Sequence, residues 1–296
     1  MAMLLTPVKS KLFIHSSRKS THALDGAHAS LMRGRSMDFE DLRSYEYGDP
    51  VRDIDWRATA RFGEPLVKRT RANRMHTVLF VVDTGVSMSA LAFDEKPKRE
   101  LAVLTVGALG LLTLRHGDDF AVVFGDSHST KSTAIGRSES ALEHALRDID
   151  TAIAGATQPS SREELLRTVI RSVKRRMIVV VVTDESPIDA ESERLLRRIR
   201  VQHDVLWATL NDARPVLESA KPGARTDVVT GWSVPDFVHG DTELVRELAR
   251  LDAEIEAARA RVLDGLEIDH VALGSQDEAV PQLLHMLNRR SHARAR

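Results

Sequence analysis

The sequence predicts an α/β fold with a mostly parallel central sheet, helices on both faces and one antiparallel edge strand. Three observations predict it. Met177–Val182 reads MIVVVV, with no polar alternation, as a strand buried on both faces requires. From residue 75 onward, short β-rich runs alternate with amphipathic helical stripes, the pattern of helices packed on a parallel sheet. Two expected strands end in aspartate: Val82 leads into Asp83, and Val182-Thr183 into Asp184. In open sheets of this class, ligands bind beyond the carboxyl ends of the strands.

The expected strands are Val78–Val82, Phe120–Phe124, Met177–Val182, Val205–Leu210, Asp227–Thr230 and His270–Leu273. Gly125-Asp126-Ser127 offers a turn through which Thr130–Ile135 can pair back on Phe120–Phe124 as the antiparallel edge. Leu101–Leu114 is uncharged, but it is shorter than the roughly 20 residues that span a bilayer and reads as a buried helix. Leu165, Leu166, Val169, Ile170 and Val173 form one helical stripe, and Leu195, Leu196 and Ile199 a shorter one. The longest comprises Leu244, Leu248, Leu251, Ile255, Val262 and Leu266, at three-and-four spacing. A last helix is expected over Val280–Leu287. The chain thus divides into a charged collar, 1–74, a sheet domain, 75–290, and a basic tail, 291–296.

Composition excludes several function classes. A net charge of −1 over 296 residues predicts no nucleic-acid partner and no membrane surface. The basic run Val67–His76, VKRTRANRMH, lacks the interleaved aromatics that stack on bases. The absence of cysteine excludes disulfides and thiolate metal sites and fits a reducing compartment. The first 20 residues lack the apolar core of a signal peptide, so a cytoplasmic chain without membrane insertion is expected. The histidines show no zinc-enzyme spacing, and no phosphate-loop motif is present. An enzymatic reading would use Ser127 as nucleophile, His239 as base and Asp236 as its orienting partner, echoing GDSL-type hydrolases. Gly-Asp-Ser is also ordinary turn chemistry, and no catalytic residue is assigned.

The stretch Val81–Ala90, VVDTGVSMSA, places Asp83 and Ser87 on one turn, with Asp184 on the next parallel strand. Mg²⁺ takes oxygen ligands in an octahedron and keeps some water, so a cradle for it needs hydroxyls and carboxylates on neighbouring turns. A further hydroxyl is expected from the loop Gly155–Ser161, from Ser160 by its spacing to Leu166, with Thr157 behind it. Ser87 and Ser89 also fit as helix caps, and both aspartates fit as strand-end acceptors of backbone N–H groups.

With these residues in view, the D-x-G-x-S-M turn and the later Thr-Asp strand end resemble a von Willebrand factor A domain with its metal-ion-dependent adhesion site. Arg43, Tyr45, Gly48, Asp49, Arg52, Ile54-Asp55-Trp56 and Ala60-Arg61 are similar to the R-x-Y-x-x-G-D-x-x-R-x-I-D-W-x-x-x-A-R hallmark of domain-of-unknown-function family fifty-eight. The resemblance implies a Rossmann-like three-layer sandwich and a non-enzymatic interaction module working beside a MoxR-type AAA+ ATPase. It implies metal ligation by Asp83, Ser87 and Asp184. Gly85 departs from the usual D-x-S-x-S turn, so one hydroxyl ligand is expected to be missing and Mg²⁺ to be weakly held.

Within the collar, Tyr45–Pro50 reads as a turn. Arg43, Arg52 and Arg61 alternate with Asp49, Asp53 and Asp55 as an ion-pair network requires, and Trp56 is expected to bury its ring. The same charged surface, Arg43, Tyr45, Asp49, Arg52, Asp55, Trp56 and Arg61, is the candidate docking face for the ATPase.

Overall fold

The computed structural model describes residues 3–18, 41–46, 54–69, 76–218 and 225–293. The chain separates into two compact units: Arg33–Met75, and the remainder from both sides of it. The larger unit begins with α1 (Leu5–Arg18). The smaller contains β1 (Asp41–Ser44), α2 (Trp56–Phe62) and β2 (Leu66–Arg69), with β1 and β2 antiparallel.

The larger unit resumes with β3 (Thr77–Asp83), α3 (Lys98–Arg115), β4 (Asp119–Gly125), β5 (Thr130–Ser132) and α4 (Glu139–Ala154). It continues through α5 (Arg162–Ser172), β6 (Ile178–Asp184), α6 (Ala190–Gln202) and β7 (Asp204–Leu210). After the short pair β8 (Arg225–Thr226) and β9 (Ser233–Val234), it closes with α7 (Thr242–Gly265), β10 (Asp269–Leu273) and α8 (Gln276–Ala293).

The central sheet has the order β10-β7-β6-β3-β4-β5. Every neighbouring pair is parallel except β4–β5. This is the mainly parallel sheet with one antiparallel edge that the sequence predicts. Side chains alternate across it. Val78, Phe80, Val82, Val180 and Val182 enter one core with α1, α3, α4 and α8. Leu79, Val81, Val179 and Val181 enter the other with α5, α6 and the end of α7. With both faces covered, the central strands have no polar alternation. The chain order reverses at β3, which feeds β4 on one side and lies against β6 on the other. That reversal is where this class of fold opens a crevice.

Several expectations require correction. The first 74 residues are not one collar, because Leu5, Val8 and Leu12 of α1 are buried in the sheet unit's core. Glu143 on α4 anchors that helix by accepting from the N–H groups of Leu4 and Leu5, each at 2.9 Å. Asp227–Thr230 is a turn rather than a strand, since Asp227 Oδ1 accepts from the amides of Val229 and Thr230. The stripe on α7 does not pack along its length: Leu263 and Leu266 are buried, whereas Leu251 and Ile255 are 41% and 39% exposed. Trp56 does not bury its ring but is 64% exposed at the start of α2. There Asp55 caps the helix, accepting from the amides of Arg57 and Ala58. Asp49, Arg52 and Asp53 lie outside the described residues. Tyr45 ties β1 toward β2 through its N–H to Pro65 O at 2.8 Å, and Arg61 lies in the last turn of α2.

Candidate metal centre

Asp83 ends β3 beside Gly125, and Asp184 ends β6 beside Leu210. The turn after Asp83 is held by its own carboxylate, whose Oδ1 accepts from Gly85 N–H at 2.8 Å. A 3₁₀ turn, Val86–Ser89, follows and presents Ser87. The loop from Gly155 to Ser161 is pinned over it by two backbone bonds, Val86 N–H to Gln158 O at 2.8 Å and Ser127 N–H to Pro159 O at 3.0 Å. These bonds bring Ser160 Oγ to 2.6 Å from Ser87 Oγ. Ser161 then caps α5, accepting from Glu164 N–H. Thr157, the other candidate in this loop, is exposed.

The same approach accounts for Gly85. Its φ is −69°, a backbone angle open to any residue, so conformational freedom is not what requires glycine. A Cβ there would stand 2.4 Å from both Cα and N of Ser160 and 2.5 Å from its Oγ. The space of a side chain at 85 is already filled by Ser160, whose hydroxyl lies where the expected serine was absent.

Both carboxylates are buried. Burial pushes Asp83 up to about 6 against the Gly85 N–H, and the Asp184 charge adds to the rise while Ser160 and Arg162 oppose it. Burial also acts on Asp184, but hydrogen bonds from Ser87 and Ser186, with the Lys98 charge, hold it below the usual carboxylate range. Asp83 Oδ2 is buried without a hydrogen-bond partner among the described residues. An unsatisfied buried carboxylate oxygen is costly, and a cation beside it would remove that cost. Two carboxylates and two hydroxyls at one sheet edge match the hard-oxygen donor set of Mg²⁺. The donor set fits the ion.

Two cations that the motif reading missed border the cradle. Arg162 is buried, donates to the carbonyls of Ser186 and Pro187, and lies 5.4 Å over the Trp207 ring. Its Nη2 stands 3.6 Å from Asp184 Oδ1. Lys98, also buried, donates to Ser87 O at 3.1 Å and pairs with Asp212. Asp212 was legible as a third carboxylate just beyond a strand end, after Leu210-Asn211. Glu185 accepts from its N–H at 3.2 Å, and burial with the Asp212 charge pushes Glu185 up to about 7.

The hydrolase constellation is not assembled. His239 Nδ1 accepts from Leu217 N–H at 3.2 Å, so it has no proton there to give Asp236. His239 Nε2 has no partner among the described residues. Asp126 folds the Ser127 turn by accepting from the amides of His128 and Ser129.

The family described as Protein of unknown function DUF58 matches residues 41–219. Uncharacterized protein Rv1480 of Mycobacterium tuberculosis is 28% identical over 266 residues, covering 84% of this chain and 78% of that protein. Uncharacterized protein Mb1516 of Mycobacterium bovis matches to the same extent. Among solved structures, BatB from Bacteroides thetaiotaomicron aligns with a TM-score of 0.47 at 11% identity, over 73% of this chain and 99% of that one. A von Willebrand factor type A protein from Catenulispora acidiphila aligns with a TM-score of 0.40 at 12% identity, over 73% and 43%.

Proposed function

We propose that this chain, which belongs to the DUF58 family, is a non-enzymatic protein-interaction module that docks a partner at the Asp83–Asp184 edge of its sheet. The observation that carries this reading is the buried Asp83 Oδ2, without a hydrogen-bond partner among the described residues, on the sheet edge that also carries the Ser87–Ser160 hydroxyl pair. Asp83, Ser87 and Ser160 would hold Mg²⁺ directly and Asp184 through water. Bound there, the ion would supply an open coordination position for a carboxylate of the partner. The chain's own residues prepare that position: Gly85 N–H orients Asp83, Ser186 N–H orients Asp184, and Arg162 offsets part of the negative charge.

The partner expected from the collar hallmark is a MoxR-type AAA+ ATPase, with the pair acting in assembly or activation of other proteins. The test is binding of the chain to the MoxR-type ATPase of its own genome, with Mg²⁺ and with chelator, for the native chain and Asp83→Ala. The reading requires binding that falls at least tenfold with chelator and with the substitution. Binding unchanged in both arms overturns it.

A second reading has its own support. Arg162 and Lys98 already border the carboxylates, and α2 presents Trp56 and Phe62 largely exposed. A scaffold without a working metal site would then dock through the collar, and Trp56→Ala rather than Asp83→Ala would abolish ATPase binding.

A further inference from the structure

The outer edge of β10, three strands along the sheet from β3, forms the floor of a second site. Among the described residues β10 pairs only with β7 and so ends the sheet on the side opposite β5. Backbone groups of successive strand residues point alternately to the two sides. Leu273 O accepts from Asn211 N–H, next to the end of β7, so Leu273 faces inward. His270 and Ala272 therefore turn their N–H and C=O groups outward. Helices from both faces overhang this edge: α7 brings Glu256 and Ala260, and α8 brings Gln282, His285 and Arg289, around an open cavity of about 520 Å³.

Natural sheets usually blunt a free edge, because unpaired backbone groups pair with any strand that reaches them. Here the blunting is slight. Arg289 Nη2 reaches His270 O at 3.4 Å, and no described carboxylate pairs with that guanidinium. Gln282 Oε1 is buried with no donor among the described residues. The slot thus holds outward backbone groups, an acceptor orphaned among the described residues, and two cations, Arg259 and Arg289, against the one carboxylate of Glu256. Its five-residue strand spans about 17 Å, room for a strand of four or five residues.

We propose that the α7–α8 slot binds an extended peptide that adds as a strand to β10, with an acidic side chain of the peptide paired to Arg289. Main-chain bonds supply affinity in this mode and side-chain contacts supply selectivity. Arg289 would leave His270 O for the peptide carboxylate, freeing that carbonyl for a peptide N–H.

The experiment pans a phage-displayed library of random octapeptides against the full chain, then measures a selected synthetic peptide by fluorescence anisotropy. Enrichment of acidic, β-branched sequences is expected. Affinity should fall at least tenfold in Arg289→Glu and, separately, in Ala272→Pro, which removes an outward N–H without touching the β7 ladder. Asp83→Ala should leave it unchanged, and the Ala272 amide should gain protection from hydrogen exchange on binding. Failure to enrich, or equal binding by folded Arg289→Glu and Ala272→Pro, overturns the proposal. So does binding lost in Asp83→Ala, or a dimer of the native chain that Ala272→Pro converts to monomer, which would make a second β10 the occupant.

Discussion

Ser160 occupies the space that a side chain at Gly85 would need, and its hydroxyl lies 2.6 Å from that of Ser87. The departure from the D-x-S-x-S pattern therefore has a steric partner: the Gly155–Ser161 loop lies where a side chain at 85 would stand. The cradle keeps the loop hydroxyl of Ser160 beside that of Ser87, two hydroxyls where the D-x-S-x-S pattern with a loop hydroxyl would supply three.

Restoring serine at Gly85 should harm the protein. Its Cβ would meet the Ser160 backbone at 2.4 Å, and overpacking of this kind costs about 1–3 kcal/mol or more. Gly85→Ser should therefore unfold at lower urea concentration than the native chain, and Mg²⁺ affinity should fall rather than rise.

The two candidate ligand hydroxyls of the loop, Ser160 and Thr157, should separate cleanly. Ser160→Ala removes the group beside Ser87 and should weaken Mg²⁺ binding by about tenfold or more, the scale of losses near metal sites. Thr157→Ala changes an exposed side chain and should leave both Mg²⁺ affinity and stability within error. Magnesium titration followed by thermal shift checks both variants.

Asp83 should trade stability for function. Its carboxyl is raised from 3.8 to about 6 in the folded chain. Between those values the folded state keeps a proton that the unfolded chain has lost, so in chelator stability falls as pH rises through that window and then levels. Asp83→Asn should reduce this slope to the part that Glu185 carries on its rise to about 7 and, above pH 6, stabilise the chelated protein by about 1–3 kcal/mol. Urea unfolding at pH 4 and pH 7 with chelator measures it, and an unchanged slope in the variant would contradict the assignment.

How far these features were legible depends on their range. The doubly buried strands and the two strand-end aspartates were plain, because an unbroken apolar run and an aspartate at its end are written locally. The partner of Gly85 was not, because it depends on two backbone bonds from a loop over 70 residues away. Nor was α1, whose Leu5, Val8 and Leu12 sit among charged residues and whose burial is decided by α3 and α4. The long stripe on α7 misled in the opposite sense. Helical spacing shows which residues share a face, not whether anything covers that face.

That uneven burial along α7 has a direct consequence. Leu263 is buried in the core under β6 and β7, and Leu263→Ala should cost about 2–5 kcal/mol. Leu251, on the same helix but 41% exposed, should accept Leu251→Gln with a change of about 0.5 kcal/mol or less. Paired urea denaturation curves at one pH decide between this gradient and a uniformly packed helix.

The most direct measurement of the central claim is calorimetric titration of Mg²⁺ into the full chain at pH 7.5, beside Asp83→Ala and Ser160→Ala. Saturable binding of one ion by the native chain is predicted, lost in Asp83→Ala and weakened about tenfold in Ser160→Ala. No heat of binding in the native chain, or binding equal in all three proteins, would contradict a metal centre at Asp83, Ser87, Ser160 and Asp184.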